Sequence, residues 1–385
     1  MAKLILFTGK GGVGKSTTSA ANAYYYSSQG YKTLLVSSDP AHSTEDVVGI
    51  PIGFQPTLIK ENLWAKNINA QEKAKQFMEK MNEGLENSVS KWFPGFDSEL
   101  LTDWASFPGM DEVFALEEIM HLVQSVEYDL IVFDTAPTGH TLKALTTPES
   151  INSFLLRILR MKARIENVKG FFLKKGDTSK LVKLLEEMID MIKKIKLLLR
   201  NQDFVSINLV SIPTEAGFQE FAKTVKFLTN QGFKVNNLIV NNIIPTFDEE
   251  TWSMANNNKA VGLLKAERDI QQIYLKKYHH FTTEGQINML GVSKLPFEPI
   301  GSKLQELEVF LKKFNFKPVK SITVESTNDQ IKYKLHLPNN GNLKLNKDSY
   351  TIDYYNYKLP FAPQHEGQKV RKQKTQNGAN YTYKV

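Results

Sequence analysis

Apolar residues along the chain gather into short unbroken runs, each followed by a helical pattern. The runs Lys3–Thr8, Thr33–Ser38, Asp129–Asp134, Val205–Ile212 and Asn237–Ile243, with a shorter one near Val292–Leu295, are continuous rather than alternating. That is the pattern of strands buried on both faces. Apolar spacing predicts helices over Ser16–Gln29, Ala70–Glu86, Met110–Gln124, Glu215–Gln231 and Ala260–Tyr278. Strands alternating with helices predict a parallel sheet with right-handed crossovers.

Two stretches break this rhythm. In 151–200, Phe154, Leu155, Ile158 and Leu159 open one amphipathic pattern. Leu181, Leu184, Leu185, Met188, Ile192, Ile195 and Leu199 then fall on one face of a second helix. From about Val319 no helical pattern remains. Val319–Glu325, Gln330–Leu337, Asn342–Leu345, Tyr350–Tyr355, Tyr357–Phe361 and Ala379–Val385 predict short strands separated by Pro, Asn, Gly and Asp. The expected class is α/β: a doubly wound, mostly parallel sheet with a helical insertion, plus a small C-terminal all-β sandwich. The expected boundaries are 1–315 and 319–385.

Gly9-Lys10-Gly11-Gly12-Val13-Gly14-Lys15-Ser16-Thr17 lies between the first strand and the first helix. This is the context of a phosphate-binding P-loop. Its glycines let backbone N–H groups wrap phosphates, and the helix presents its positive end to the same anion. Lys15 can reach the β- and γ-phosphates of ATP, and the Ser16 hydroxyl can ligate Mg²⁺. Lys10 has no task within one nucleotide's own loop. It is free to reach a nucleotide on a facing subunit, which points to a homodimer. Asp39, at the end of the second strand, can orient water for attack on the γ-phosphate. Asp134, at the end of the next apolar strand, is placed to hold a magnesium ligand, and 135–141 would form a γ-phosphate-sensing loop.

The 385 residues include no cysteine. That excludes disulfides, thiolate zinc sites, iron–sulfur ligation and a Cys nucleophile. The net charge of +7 is uneven. Residues 151–200 carry 13 basic and 5 acidic side chains and 312–385 carry 14 and 5, so the rest sums to 7 − 8 − 9 = −10. An acidic body with two basic appendages is not the footprint of a general nucleic-acid binder. No signal-peptide pattern precedes Lys3 and no apolar stretch spans a bilayer, so the expected location is cytoplasmic.

The motifs GKGGVGKST (9–17), SSDPAHS (37–43), PGMDE (108–112) and FDTAPTGHTLKAL (133–145) carry a family resemblance. The chain resembles the arsenical pump-driving ATPases and the ATPases that target tail-anchored membrane proteins. The resemblance covers about 1–315, and the tail is similar to the α-crystallin-like extension of some prokaryotic members. It implies that Gly9, Lys10, Gly11, Gly12, Val13, Gly14, Lys15, Ser16 and Thr17 bind ATP, with Lys10 as the intersubunit lysine. Asp39 becomes the switch I carboxylate, and Asp134 with Pro137 belongs to switch II. Asn241 would read adenine, and Pro296 and Phe297 would close over the base. Magnesium would be held by Ser16, Asp39 and Asp134, the carboxylates acting directly or through water.

The departures matter too. Without cysteine, a thiolate arsenite site cannot exist, and Ala255–Gly262 carries no zinc clamp, so no zinc is expected. The resemblance implies an apolar client groove, here from about 64–125 and 151–200, with Trp64, Phe77, Met78, Met81, Trp92, Phe93, Phe96, Met161, Met188 and Met191 as candidates. The same residues can instead pack on their own sheet. Three functions are compatible: a homodimeric ATPase that binds hydrophobic or transmembrane segments and works with a membrane-bound partner, an energy-coupling ATPase for anion or arsenite efflux, and a scaffold ATPase recruiting a partner through its β-module.

Overall fold

The computed structural model describes residues 2–39, 43–85, 110–125, 127–135, 177–256 and 258–307. Beyond these it describes seven strands between Ile322 and Lys384. The first part is built on an eight-stranded sheet of order β3-β4-β2-β5-β1-β6-β7-β8. Its strands are β1 (Lys3–Thr8), β2 (Thr33–Ser37), β3 (Thr57–Lys60), β4 (Leu63–Asn67), β5 (Leu130–Asp134), β6 (Val205–Ser211), β7 (Val235–Ile243) and β8 (Asn288–Ser293). Every pair is parallel except β3 with β4, which adds an antiparallel edge.

The centre of the sheet is as apolar as the sequence requires. Leu4, Leu6 and Phe133 face one core, and Ile5, Phe7 and Val132 face the other. The first core is roofed by α3 (Ala70–Leu85), α4 (Met110–Gln124), α5 (Asp177–Arg200), α6 (Glu215–Asn230) and α8 (Lys259–Glu284). The second lies under α1 (Lys15–Ser28), α2 (Ser43–Val48) and the turn Gly301–Leu307. The short helix α7 (Glu249–Ser253) precedes α8 and contributes no buried residue.

The predicted strands are present, with the last shifted to Asn288–Ser293, and α8 runs to Glu284. Strands β3 and β4 and helices α2 and α7 were not anticipated. Helix α5 joins the main core: Met188, Ile192, Ile195 and Leu199 are buried there with Phe77 of α3 and Phe114 of α4. The Phe77 and Phe114 rings lie 5.5 Å apart. Glu118 of α4 binds Lys66 of β4 at 2.9 Å and also Lys73 of α3, which ties the two helices to the sheet.

One buried polar ladder crosses β6, β7 and β8. Asn237 Nδ2 donates to Asn208 Oδ1 at 2.7 Å, and Asn288 Nδ2 donates to Asn237 Oδ1 at 2.9 Å. Asn208 Nδ2 reaches the Leu6 carbonyl of β1 at 3.2 Å. Asn208 and Asn237 are buried, and each is satisfied there by its neighbours' side chains or backbone.

The tail strands are β9 (Ile322–Thr327), β10 (Gln330–Pro338), β11 (Gly341–Asn346), β12 (Ser349–Tyr354), β13 (Tyr357–Phe361), β14 (Lys369–Thr375) and β15 (Gly378–Lys384). They form a four-stranded sheet of order β14-β15-β10-β9 and a three-stranded sheet of order β11-β12-β13. Strand β14 was not anticipated, because KVRKQKT is too cationic to read as a strand.

Asn237→Ala should cost about 2 kcal/mol, since it removes both side-chain hydrogen bonds of the ladder's middle member. Urea unfolding of this variant against wild type measures the loss, and an unchanged midpoint would remove the ladder from the stability argument.

Candidate functional site

The carboxyl ends of β1, β2, β5, β6 and β7 converge on the P-loop. Two backbone constraints shape it. Gly14 has φ 89° and ends the loop as the N-cap of α1. A Cβ there would also collide with the Asn241 side chain of β7. At Gly9 a Cβ would strike the Val210 carbonyl of β6. Helix α1 starts with no side-chain cap and no acidic residue in its first turn. Its positive end is therefore presented to the loop without a competing anion of its own.

Lys15 is 6% exposed, and its Nζ donates to the Lys10 carbonyl at 3.3 Å. Burial lowers its pKa, while the charges of Asp134 and Asp39 hold it up. Lys10 itself is exposed, as are Gly11 and Gly12, whereas Val13 is buried and Ser16 and Thr17 are half-buried.

Around Lys15 the hydroxyls and carboxylates form a connected set. The Ser16 and Ser43 hydroxyls are 2.9 Å apart, and Ser43 Oγ donates to Asp39 Oδ2. The Asp39 N–H donates to Ser37 Oγ at 3.2 Å. Thr44 Oγ1 donates to Asp134 Oδ2 at 2.8 Å. Asp134 is fully buried, and its Oδ1 has no hydrogen-bond partner. Burial pushes its carboxyl up to about 6, against hydrogen bonds from Ser16 and Thr44 and the charge of Lys15, which pull it down.

Asn241 packs against the loop, with its Nδ2 donating to the Val13 carbonyl at 3.0 Å. Pro296 and Phe297 lie in the segment after β8, where Lys303 Nζ sits 5.5 Å from the Phe297 ring centre. The structure thus brings Lys15, Ser16, Asp39 and Asp134 together and sets Asn241 beneath the P-loop. Pro137 and the rest of the 136–141 loop lie outside the described residues, as do His42, Trp92, Phe93, Phe96 and Met161.

Ser43 and Thr44 were missed as site residues. They matter because α2 folds back over the P-loop and lays two hydroxyls on the two carboxylates. A hydroxyl pair followed by Glu45 and Asp46 is a helix-start signal, and that signal was available.

The oxygen set suits a hard cation. One hydroxyl and two carboxylates, one of them with a buried unpartnered oxygen, leave the remaining positions of an octahedron to phosphate and water.

A model of the anion-transporting ATPase family matches residues 2–297. The chain belongs to that family. It is 30% identical to a Dictyostelium discoideum protein named ATPase ASNA1 homolog, over 81% of this chain and 91% of that protein. It is also 31% identical to ATPase ASNA1 homolog 1 of Paramecium tetraurelia, over 66% and 78% of the two chains. An Aquifex aeolicus protein named for an arsenical pump-driving ATPase is 30% identical over 80% of this chain and 99% of its own. The P-loop chain is accordingly an ATP-hydrolysing enzyme. Among the described residues, no helix is long and apolar enough to cross a membrane.

The Asp134 carboxyl gives a signed pH effect. Its folded pKa of about 6 exceeds the ordinary 3.8, so the folded chain binds the proton more tightly than the unfolded chain does. The resulting stabilisation is present at low pH and is lost as pH rises from about 4 through about 6. Without nucleotide, Asp134→Asn should lack this decline. Near neutral pH it should be more stable than wild type, by up to about 3 kcal/mol. Thermal melts of both proteins from acid to neutral pH test this, and parallel curves would count against it.

Proposed function

We propose that this ATPase uses Mg-dependent ATP hydrolysis to open and close a homodimer that holds a hydrophobic polypeptide segment. The hydrolytic half rests on the cluster of Lys15, Ser16, Asp39 and Asp134 at one end of the sheet. The client half rests on the resemblance to ATPases that target tail-anchored proteins, together with one groove in the first core.

In this reading the P-loop from Gly9 to Thr17 wraps the phosphates, and Lys15 exchanges the Lys10 carbonyl for a phosphate oxygen. A bound magnesium ion would neutralise phosphate charge at the oxygens of Ser16, Asp39 and Asp134. Asp39 orients the attacking water, its carboxylate held by Ser43. Ser16 must give up Ser43 to reach a ligand, so occupancy of the site pulls on α2. That makes α2 a mobile switch whose position reports the nucleotide. Lys10, exposed on the outer side of the loop, supplies charge across the dimer. Asn241, Pro296 and Phe297 hold the base, and Pro137 belongs to the second switch.

The groove has a volume of about 270 Å³ and lies between α3, α4 and α5. Phe77, Phe114, Met188 and Met191 form its floor, with Lys73 and Glu187 on its rim. Phe77, Met188 and Met191 are each less than one-tenth exposed, so this floor is core first. Flexible methionines allow it to be pried open by an apolar helix.

The efflux reading is favoured by the anion-transporting description of the family and by the arsenical pump-driving name of an Aquifex aeolicus relative. The chain has no cysteine to hold arsenite, so an anion substrate would need oxygen or nitrogen ligands.

Lys15→Ala should abolish productive ATP binding. Asp39→Asn should keep nucleotide affinity within about threefold and lower turnover by about 100-fold or more. Calorimetric titration and phosphate release separate the two, and wild-type turnover in Asp39→Asn would remove that carboxylate from the chemistry. An apolar helix peptide should be captured only with ATP, and arsenite should leave turnover unchanged. The reverse pattern would favour the efflux reading.

A further inference from the structure

Strand β7 stops being regular where it reaches the P-loop. Its ladder with β6 ends at Ser211 opposite Val240. Against β8, Val240 lies opposite Gly291 and Ile243 opposite Ser293, so three steps of β7 face two of β8. The extra residue makes a bulge at Asn241 and Asn242, and bulges re-aim side chains. Asn242 has φ 58°, a left-handed conformation that asparagine enters more readily than most residues. Beside it, Asn241 reaches the P-loop, where its Nδ2 donates to the Val13 carbonyl.

A side chain from another element holds this bulge. Gln271 of α8 is buried, and its Nε2 donates to the Asn242 carbonyl at 3.0 Å while its Oε1 accepts from the Ile244 N–H at 2.9 Å. A carbonyl and an N–H on either side of one residue are the pair that a parallel strand would engage. The Gln271 amide therefore stands in for a peptide unit where the ladder to β6 has ended. Between these two bonds, the Ile243 carbonyl accepts from the Lys294 N–H at 2.8 Å, at the start of the segment that carries Pro296 and Phe297. Helix α8 has its own anchor two turns on. Tyr278 is fully buried, and its hydroxyl donates to the Ile212 carbonyl at 3.1 Å and lies 2.7 Å from Ser211 Oγ.

We propose that Gln271 is a positioning residue that sets the base preference of the nucleotide site by clamping the backbone behind Asn241. The proposal rests on the reading above in which Asn241, Pro296 and Phe297 hold the base. Asn241 adjoins the clamped Asn242, and the segment of Pro296 is tied to Ile243, so both walls depend on the three residues that Gln271 brackets. The Val13 carbonyl engages Asn241 Nδ2, which leaves Oδ1 for a base. An oxygen there accepts from the 6-amino group of adenine and repels the 6-oxo group of guanine. Discrimination then depends on where Oδ1 is held, and a displacement of about 1 Å takes a hydrogen bond out of its working range. The phosphates are gripped by the loop between β1 and α1, which Gln271 does not touch. Its influence therefore falls on the base and not on the phosphates.

The test is calorimetric titration of the full chain with the magnesium complexes of ATP, GTP and inorganic tripolyphosphate, which has phosphates and no base. Gln271→Met, similar in length but without donor or acceptor, should lose about tenfold in ATP affinity and less than about threefold in GTP affinity, which narrows the preference. Tripolyphosphate affinity should change less than about twofold. The KM for ATP should rise much more than kcat falls. If Gln271→Met does not fold, Gln271→Glu, which keeps an acceptor for Ile244 and loses the donor to Asn242, carries the same expectation. Asn241→Ala should narrow the preference by itself. Should Asn241→Ala leave the ATP-to-GTP ratio unchanged, the reading of the base pocket falls and the proposal with it. Should Asn241→Ala narrow that ratio while Gln271→Met does not, the proposal alone is overturned. A tripolyphosphate loss as large as the ATP loss would also overturn it, because Gln271 would then only support the fold.

Discussion

A carboxylate shut off from water at the end of β5 organises the nucleotide end of this molecule. Asp134 is fully buried because β5 lies between β1 and β2, in the most apolar part of the sheet. A charge in such a place needs partners from every direction. Thr44 comes from α2, Lys15 from the start of α1, and Ser16 from the P-loop. Even so, Oδ1 remains without a hydrogen bond and the carboxyl is pushed towards its protonated form. The resting site is therefore incomplete in a definite sense: it holds oxygens that are best satisfied by something not belonging to the chain.

That incompleteness links binding to shape. In the hydroxyl–carboxylate chain from Ser16 through Ser43 to Asp39, Ser43 occupies oxygens at both ends that the proposed cation would take. Helix α2 is held at its first residues by these bonds. At its last turn it meets the loop beyond β8, where Ile300 lies against Gly49 and the Val48 carbonyl faces Gly301. The same loop carries Pro296 and Phe297. A six-residue helix gripped at both ends has little freedom to absorb a change at one end alone.

Much of this could be read from residue order. Strands β1, β2 and β5 announce themselves as unbroken apolar runs because both their faces are buried. The P-loop is legible because its glycines and its Lys-Ser pair have few other uses. Strands β3 and β4 escaped because TLIK and LWAKN are short and polar enough to pass for a loop; β3 is an edge strand and needs only one partner. Ser43 and Thr44 escaped for a different reason. Their importance lies in contacts with Asp39 and Asp134, and the Thr44–Asp134 contact spans 90 residues of sequence. Helical periodicity correctly marked Met188 and Ile192 as one apolar face. Periodicity alone does not say whether such a face meets a client or a neighbouring helix, and here it meets Phe77 and Phe114 in the core.

The two kinds of contact at this site are held in different ways. Asp134 ends the central strand β5, so the sheet fixes its position. Ser43 and Thr44 stand instead on a short helix outside the sheet and reach the two carboxylates by hydrogen bonds. A change at the carboxylates is therefore taken up by the helix before it is taken up by the strands, whose faces are both buried.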